Sequence, residues 1–265
     1  MRERVTRGVC GRAGVLLGVL AAVSMTTATV AAQTPVESSV ETRFQLDLVV
    51  PDAAVKAHLP PGFTMNVAAQ GPAKDCNLRV IFIDRLTINA PDGKPVGKGS
   101  NRLVYLAVPV KDAAGANAQL IIGGLTGDPA DAPGPFGNYI HATTATLKKA
   151  TSGEGANVTE TQDWVFKTAS GEQLEMHITF ERGVANRGPA GDVRFYSSKN
   201  PATYQISKQQ QVLEILRNVT TTPPDKVKQY SLKGSGGSFA KIFDGTEKTV
   251  SWDNIVWIDR AISKP

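Results

Sequence analysis

At 265 residues, with 41% hydrophobic and 20% charged side chains, the chain is too apolar for a disordered protein and too polar for a bundle of membrane helices. Its 25 glycines, 16 prolines and 6% aromatic content suit short strands joined by many turns. The net charge of +5 resides mostly in residues 1–32, which hold four arginines and one glutamate; the remainder carries 25 basic and 23 acidic residues, net +2. A basic-surface case for a nucleic-acid partner fails on that balance.

In chain order, Arg2, Arg4, Arg7 and Arg12 precede an apolar run from Val15 to Val23, and small residues lead into Val30-Ala31-Ala32-Gln33. This is the pattern of a cleavable signal peptide over 1–32 and predicts a secreted or periplasmic protein. The apolar run is too short for a membrane anchor, and no later segment reaches the ~20 apolar residues that an integral span needs. Residues 33–42 are polar and read as a loose lead-in, leaving 43–265 as one β domain. Cys76 is then the one cysteine left, and no histidine near it in sequence marks it as a nucleophile.

Arg43–Val50 alternates as a half-buried strand, and Pro51-Asp52 opens a helical turn that Leu59-Pro60-Pro61-Gly62 ends. Leu78–Asp84 and the nearly all-apolar Leu103–Val110 are strands, the second with Pro109 marking an edge or bulge. Gln119–Ile122 is a short strand, Gly123–Gly137 a long Gly/Pro loop, and Tyr139–Leu147 an extended segment ending in Lys148-Lys149. Gln162–Thr168 and Gln173–Arg182 form a hairpin; in the second, Leu174, Met176, Ile178 and Phe180 alternate with polar residues. Val193–Tyr196, Gln211–Val219, Val227–Leu232, Phe239–Phe243 and Ile255–Ile262 follow, with 209–216 open between helix and strand. About ten strands with one or two helices predict a mainly β fold. It is a single antiparallel closed or partly closed barrel, or double sheet, around an internal cavity.

Several chemistries are absent from the sequence. His58, His141 and His177 are not spaced as zinc ligands, Gly234-Ser235-Gly236-Gly237-Ser238 is not a nucleophile elbow, and no phosphate-binding glycine motif occurs. Asp128 and Asp131 lack the calcium-loop pattern. Lys148-Lys149 remains. A lysine becomes nucleophilic when burial or a second cation favours the neutral amine, and adjacent residues on a strand point to opposite faces. The ordinary reading of such a pair is a solvated strand end; the catalytic reading requires one amine inside a cavity.

With these residues in view, the chain resembles the acetoacetate decarboxylase-like superfamily over most of its length after residue 32. Leu59-Pro60-Pro61-Gly62 is similar to a family step, Leu103–Val110 resembles the family's second apolar strand, and Lys148-Lys149 falls at its PKK motif. The late Gly236–Ile262 stretch is similar to its C-terminal end. The resemblance implies a closed β-cone, Lys148 as Schiff-base nucleophile, Lys149 as its electrostatic neighbour and Arg43 near the substrate-binding arginine. It departs at Leu147, where the family has proline, and at Gly137–His141, where its Gly-Arg-Glu turn is not recognisable. Asn101 and Arg102 stand where a carboxylate is expected.

Two functions follow as expectations. One is an exported lyase or decarboxylase that acts through Lys148 on a small keto acid or carbonyl compound, with no metal or organic cofactor. The alternative is a non-catalytic barrel that binds a small carbonyl or apolar ligand, with the Gly/Pro loop as lid. Nothing in the sequence sets an oligomeric state.

Overall fold

The computed structural model describes residues 33–154, 157–218 and 226–265, so the expected signal peptide lies outside the described residues. In chain order the elements are β1 (Thr34–Val49), α1 (Asp52–Lys56), β2 (Thr64–Met65), β3 (Leu78–Asn89), β4 (Asn101–Lys111), β5 (Asn117–Thr126) and β6 (Tyr139–Glu154). Then come β7 (Asn157–Thr168), β8 (Gln173–Glu181), β9 (Asn186–Arg187), β10 (Gly191–Ser197), β11 (Tyr204–Asn218), β12 (Val227–Ser235) and β13 (Lys248–Lys264).

The fold is mainly β, with a closed seven-stranded barrel and further strands outside the ring. Around the ring the order is β5-β10-β11-β13-β1-β3-β4, and a β4–β5 ladder closes it. Two pairings are parallel, β5 with β10 and β5 with β6, where the sequence suggests only antiparallel ones. The β5–β6 ladder spans only Tyr139 to His141; β6 then leaves the barrel and joins β7, β8 and β12 in an outer antiparallel sheet.

The alternation of each strand sorts its side chains between two environments. On β1, Phe44, Leu46 and Leu48 face one way, whereas Glu41, Arg43, Gln45 and Asp47 face the other. The apolar set belongs to the main core, between barrel wall and outer sheet, where Phe44 lies 5.8 Å from Phe180 and Phe82 lies 5.6 Å from Trp164 (ring centroids). Inside the barrel a smaller apolar cluster gathers Ile81, Ile83, Leu103, Tyr105, Ala107, Ile121, Tyr139 and Phe195. A buried ionic network ties the outer sheet to the barrel: Glu160 on β7 takes Lys149 at 2.9 Å and Arg182 at 2.8 Å, and Arg182 reaches Glu214 on β11 at 2.9 Å.

Two expectations change, and one open reading is decided. Residues 34–42 are not a loose lead-in but the first half of β1, paired with both β3 and β13. Of these, Ser39 and Glu41 are buried and Glu37 lines the barrel cavity. Phe239–Lys241 is a 3-10 turn with Phe239 buried, not a strand. The stretch 209–216 resolves as strand, within β11, held by β10 and β13. The β7–β8 hairpin stands as read, with Lys167 opposite Gln173.

At the far end of the polar face of β1, Asp47 pairs with Arg79 at 3.2 Å, and the Gln45 amide donates to Asp47 (3.1 Å) and Asp253 (3.4 Å). Two carboxylates share one guanidinium. Burial first, and then the charge of Asp47, push the Asp253 carboxyl up to about 7. The unfolded chain releases this proton near 3.8. The stability that the proton contributes is therefore whole below that value and is lost as pH rises towards about 7. Thermal melts of Asp253→Asn should show a flatter pH dependence across that interval than the parent protein; parallel curves would contradict this. In the main core, Phe82→Ala should lose about 3–5 kcal/mol in urea denaturation, as expected for an emptied aromatic site.

Candidate ligand cavity inside the barrel

The cavity begins with β1. Glu37, Ser39, Glu41 and Arg43 recur every second residue, which places all four on the barrel-facing side. Glu41 is wholly buried. Its Oε2 accepts from Arg43 Nε at 2.7 Å, and its Oε1 takes Ser39 Oγ at 2.6 Å, Arg260 Nη2 at 2.8 Å and Arg85 Nε at 3.3 Å. Arg85 also meets Glu37, and Arg260 lies 3.6 Å from it. Register explains the convergence, because β3 places Arg85 directly opposite Glu41 and β13 brings Arg260 opposite Ser39.

Burial alone would raise the Glu41 carboxyl, but Arg260, Arg43, Arg85 and the Ser39 hydroxyl outweigh it and hold the group well below the usual carboxylate range. Three guanidiniums face two glutamates, which leaves one positive charge over. Asp131, on the loop above, brings a third carboxyl to the same cavity; burial raises it and Arg85 lowers it. Arg85 and Arg260 thus present charged hydrogen-bond donors to the cavity, with Glu37 and Asp131 beside them.

Arg85, Arg260, Glu37 and Asp131 line a cavity of roughly 350 Å³ together with Tyr105, Tyr139, Gln205 and Ser207. Its apolar wall comes from Val36, Ile83, Leu103, Phe136, Phe195 and Ile262. Residues 127–138 cover it. Asp131 Oδ2 accepts from Asn101 Nδ2 at 3.0 Å and Thr126 Oγ1 at 3.1 Å, and Ser197 donates to the Phe136 carbonyl. Tyr139 is clasped by two glycines. A Cβ on Gly124 would stand 2.7 Å from its ring, and one on Gly134, whose φ is +72°, would stand 2.5 Å from it. Burial first, and then Tyr105 and Asp131, raise the Tyr139 phenol well above its ordinary value, so it remains a neutral donor.

The residues singled out in the sequence separate here. Arg43 sits in the cluster, behind Glu41, and does not line the cavity. Lys148 and Lys149 are both exposed and line no part of it. Lys148 lies nine residues beyond Tyr139, about 30 Å along an extended strand. Its register partner is Asp163, which pairs with His177 at 2.6 Å on the outer sheet. Lys149 is occupied by Glu160. Neither amine has the enclosure that a Schiff-base nucleophile needs. The sequence reading missed Glu41, Arg85, Arg260, Tyr105 and Tyr139. A period-two charge pattern before Arg43, and single arginines within β-branched strands, were the available signals. Among the described residues no group of three or more His, Cys, Asp or Glu is placed to hold a metal.

Replacing Glu41 by Gln leaves three buried guanidiniums short of counter-charge. The loss should be about 3–5 kcal/mol in urea titrations at neutral pH. Because its folded-state value is depressed, the contribution of Glu41 is present above the ordinary carboxylate range and fades only as pH falls well below it. An unchanged denaturation midpoint would remove the cluster's structural role.

No protein-family model and no curated protein matches the sequence. Among solved structures, the enduracididine biosynthesis enzyme MppR, complexed with the condensation product of pyruvate and imidazole 4-carboxaldehyde, is 13% identical with a TM-score of 0.54, over 97% of this chain and 96% of that one. Acetoacetate decarboxylase from Legionella pneumophila is 14% identical at 0.51, covering 87% of each chain. An acetoacetate decarboxylase-like enzyme from Sphingomonas wittichii is 11% identical at 0.50, covering 88% of this chain and 94% of that one. This chain has the fold of the acetoacetate decarboxylase-like enzymes.

Proposed function

We propose that the protein is an exported barrel that binds a small keto acid in its lumen through guanidinium contacts, without forming a Schiff base. The observation that carries this reading is the composition of the cavity: two guanidiniums line it, beside Glu37 and Asp131, and no lysine does. Arginine presents a planar fork matched to a carboxylate and does not give up its proton, so it can bind a keto acid but not condense with its carbonyl. The apolar wall of Ile83, Leu103, Phe136 and Phe195 suits a guest with a short carbon chain. A fold neighbour holding a pyruvate-derived ligand supports the same ligand class. Export rests on the arginine-led, apolar leader before Gln33.

The competing lyase reading requires Lys148 to react. Incubation with acetoacetate and borohydride, followed by peptide mass spectrometry, should find no reduced adduct on Lys148 or Lys149; an adduct would reinstate the lyase. Calorimetry should find acetoacetate bound equally well by the parent protein and Lys148→Ala, and about 10–100-fold more weakly by Arg260→Gln, the loss expected of a charged hydrogen bond. Intact-mass measurement of protein recovered from outside the cytoplasm should place the new N-terminus at Gln33. Recovery of the full 265-residue chain there would contradict cleavage.

A further inference from the structure

We propose that the Tyr105 hydroxyl is the group that reads the keto oxygen of the ligand, making it the specificity-determining residue of the cavity. The inference rests on the keto-acid reading above and deepens it.

Tyr105 lies in the middle of β4, between Leu103 and Ala107 on the barrel-facing side. Its backbone is fixed from both flanks, by Ile81 on β3 and Gly124 on β5. The ring stands edge-on to Phe195, with centroids 6.3 Å apart and planes at 80°. The phenol is therefore aimed by a rigid strand and a rigid aromatic neighbour, not by a loop. The residue is 3% exposed and lines the cavity.

Its hydroxyl has no hydrogen-bond partner among the described residues. A buried hydroxyl left unpaired costs free energy, and such groups in folded proteins are nearly always paired. Every other aromatic residue on the wall of this cavity is either a phenylalanine or Tyr139, held between its two glycines. In the apolar LVYLAVPV run, Tyr105 adds one polar atom to a wall that leucine or phenylalanine would otherwise complete. A ligand oxygen that accepts from this hydroxyl removes the penalty.

The carboxylate of the ligand is taken by Arg85 and Arg260, and a carbonyl oxygen elsewhere on the short chain accepts from Tyr105. A plain fatty acid of equal length satisfies the guanidiniums and leaves the phenol unpaired. A site built around a buried donor discriminates strongly against the analogue that lacks the acceptor.

The test pairs two ligands with two proteins. Acetoacetate and butyrate differ by the 3-oxo oxygen, and Tyr105→Phe removes only the hydroxyl. The parent protein should prefer acetoacetate over butyrate by about tenfold or more in calorimetry, the effect of one buried hydrogen bond. Tyr105→Phe should bind butyrate as the parent does and lose the preference. Its melting temperature should be equal or higher, since no protein partner loses a bond. If the variant keeps the preference, or loses butyrate and acetoacetate equally, Tyr105 does not read the oxygen. If it melts lower, the hydroxyl has a structural role instead. If the parent binds neither acid, the keto-acid reading of the cavity falls as well, an outcome distinct from the first two.

Discussion

A carboxylate with no access to water, Glu41, holds guanidiniums from three strands inside the barrel, and the ligand site depends on it. Removing one partner from such a cluster strands charge in a medium that cannot solvate it, so its members stand or fall together. The strands that supply them, β1, β3 and β13, are adjacent in the ring, and their ladders fix the register to the residue. A slip of one residue would turn Glu41 and Arg43 outward and drive Phe44 and Leu46 into the lumen. The same ladders that place the apolar side chains in the core thus place the ions in the cavity.

The geometry of β6 decides how this lumen can be used. The strand touches the barrel only over Tyr139 to His141 and continues into the outer sheet. What the lumen receives from it is Tyr139, a neutral phenol. Lys148 and Lys149 come later, on a sheet whose apolar face packs against the barrel. Lys149 there closes an ionic network with Glu160, Arg182 and Glu214, and Lys148 stands across the ladder from Asp163, which pairs with His177. Lys149 helps hold the outer sheet, while the chemistry of the cavity is left to guanidiniums, phenols, Glu37 and Asp131.

Where burial and alternation agree, as in Leu174, Met176, Ile178 and Phe180 on β8, the sequence shows the element and its face directly. β1 shows the limit. Glu37, Ser39, Glu41 and Arg43 alternate as regularly as any apolar set, but polar alternation reads as a wet face, and only ring closure makes that face the lumen. Arg85 and Arg260 are single charges in β-branched strands, and their meeting depends on register across residues far apart in sequence. Tyr105 is hidden differently, because in an apolar run its ring fits a core and its hydroxyl carries no pattern. Lys148-Lys149 was the most conspicuous local motif, yet its environment depends on where β6 parts from β5, which no local spacing encodes.

The most direct test of a lumen that binds without condensing is the ¹³C NMR spectrum of acetoacetate, labelled at its ketone carbon, in the presence of the protein. The account predicts a bound resonance that remains that of a ketone, shifted by its surroundings, and that disappears with Arg260→Gln. A resonance in the imine range, abolished by Lys148→Ala, would contradict it.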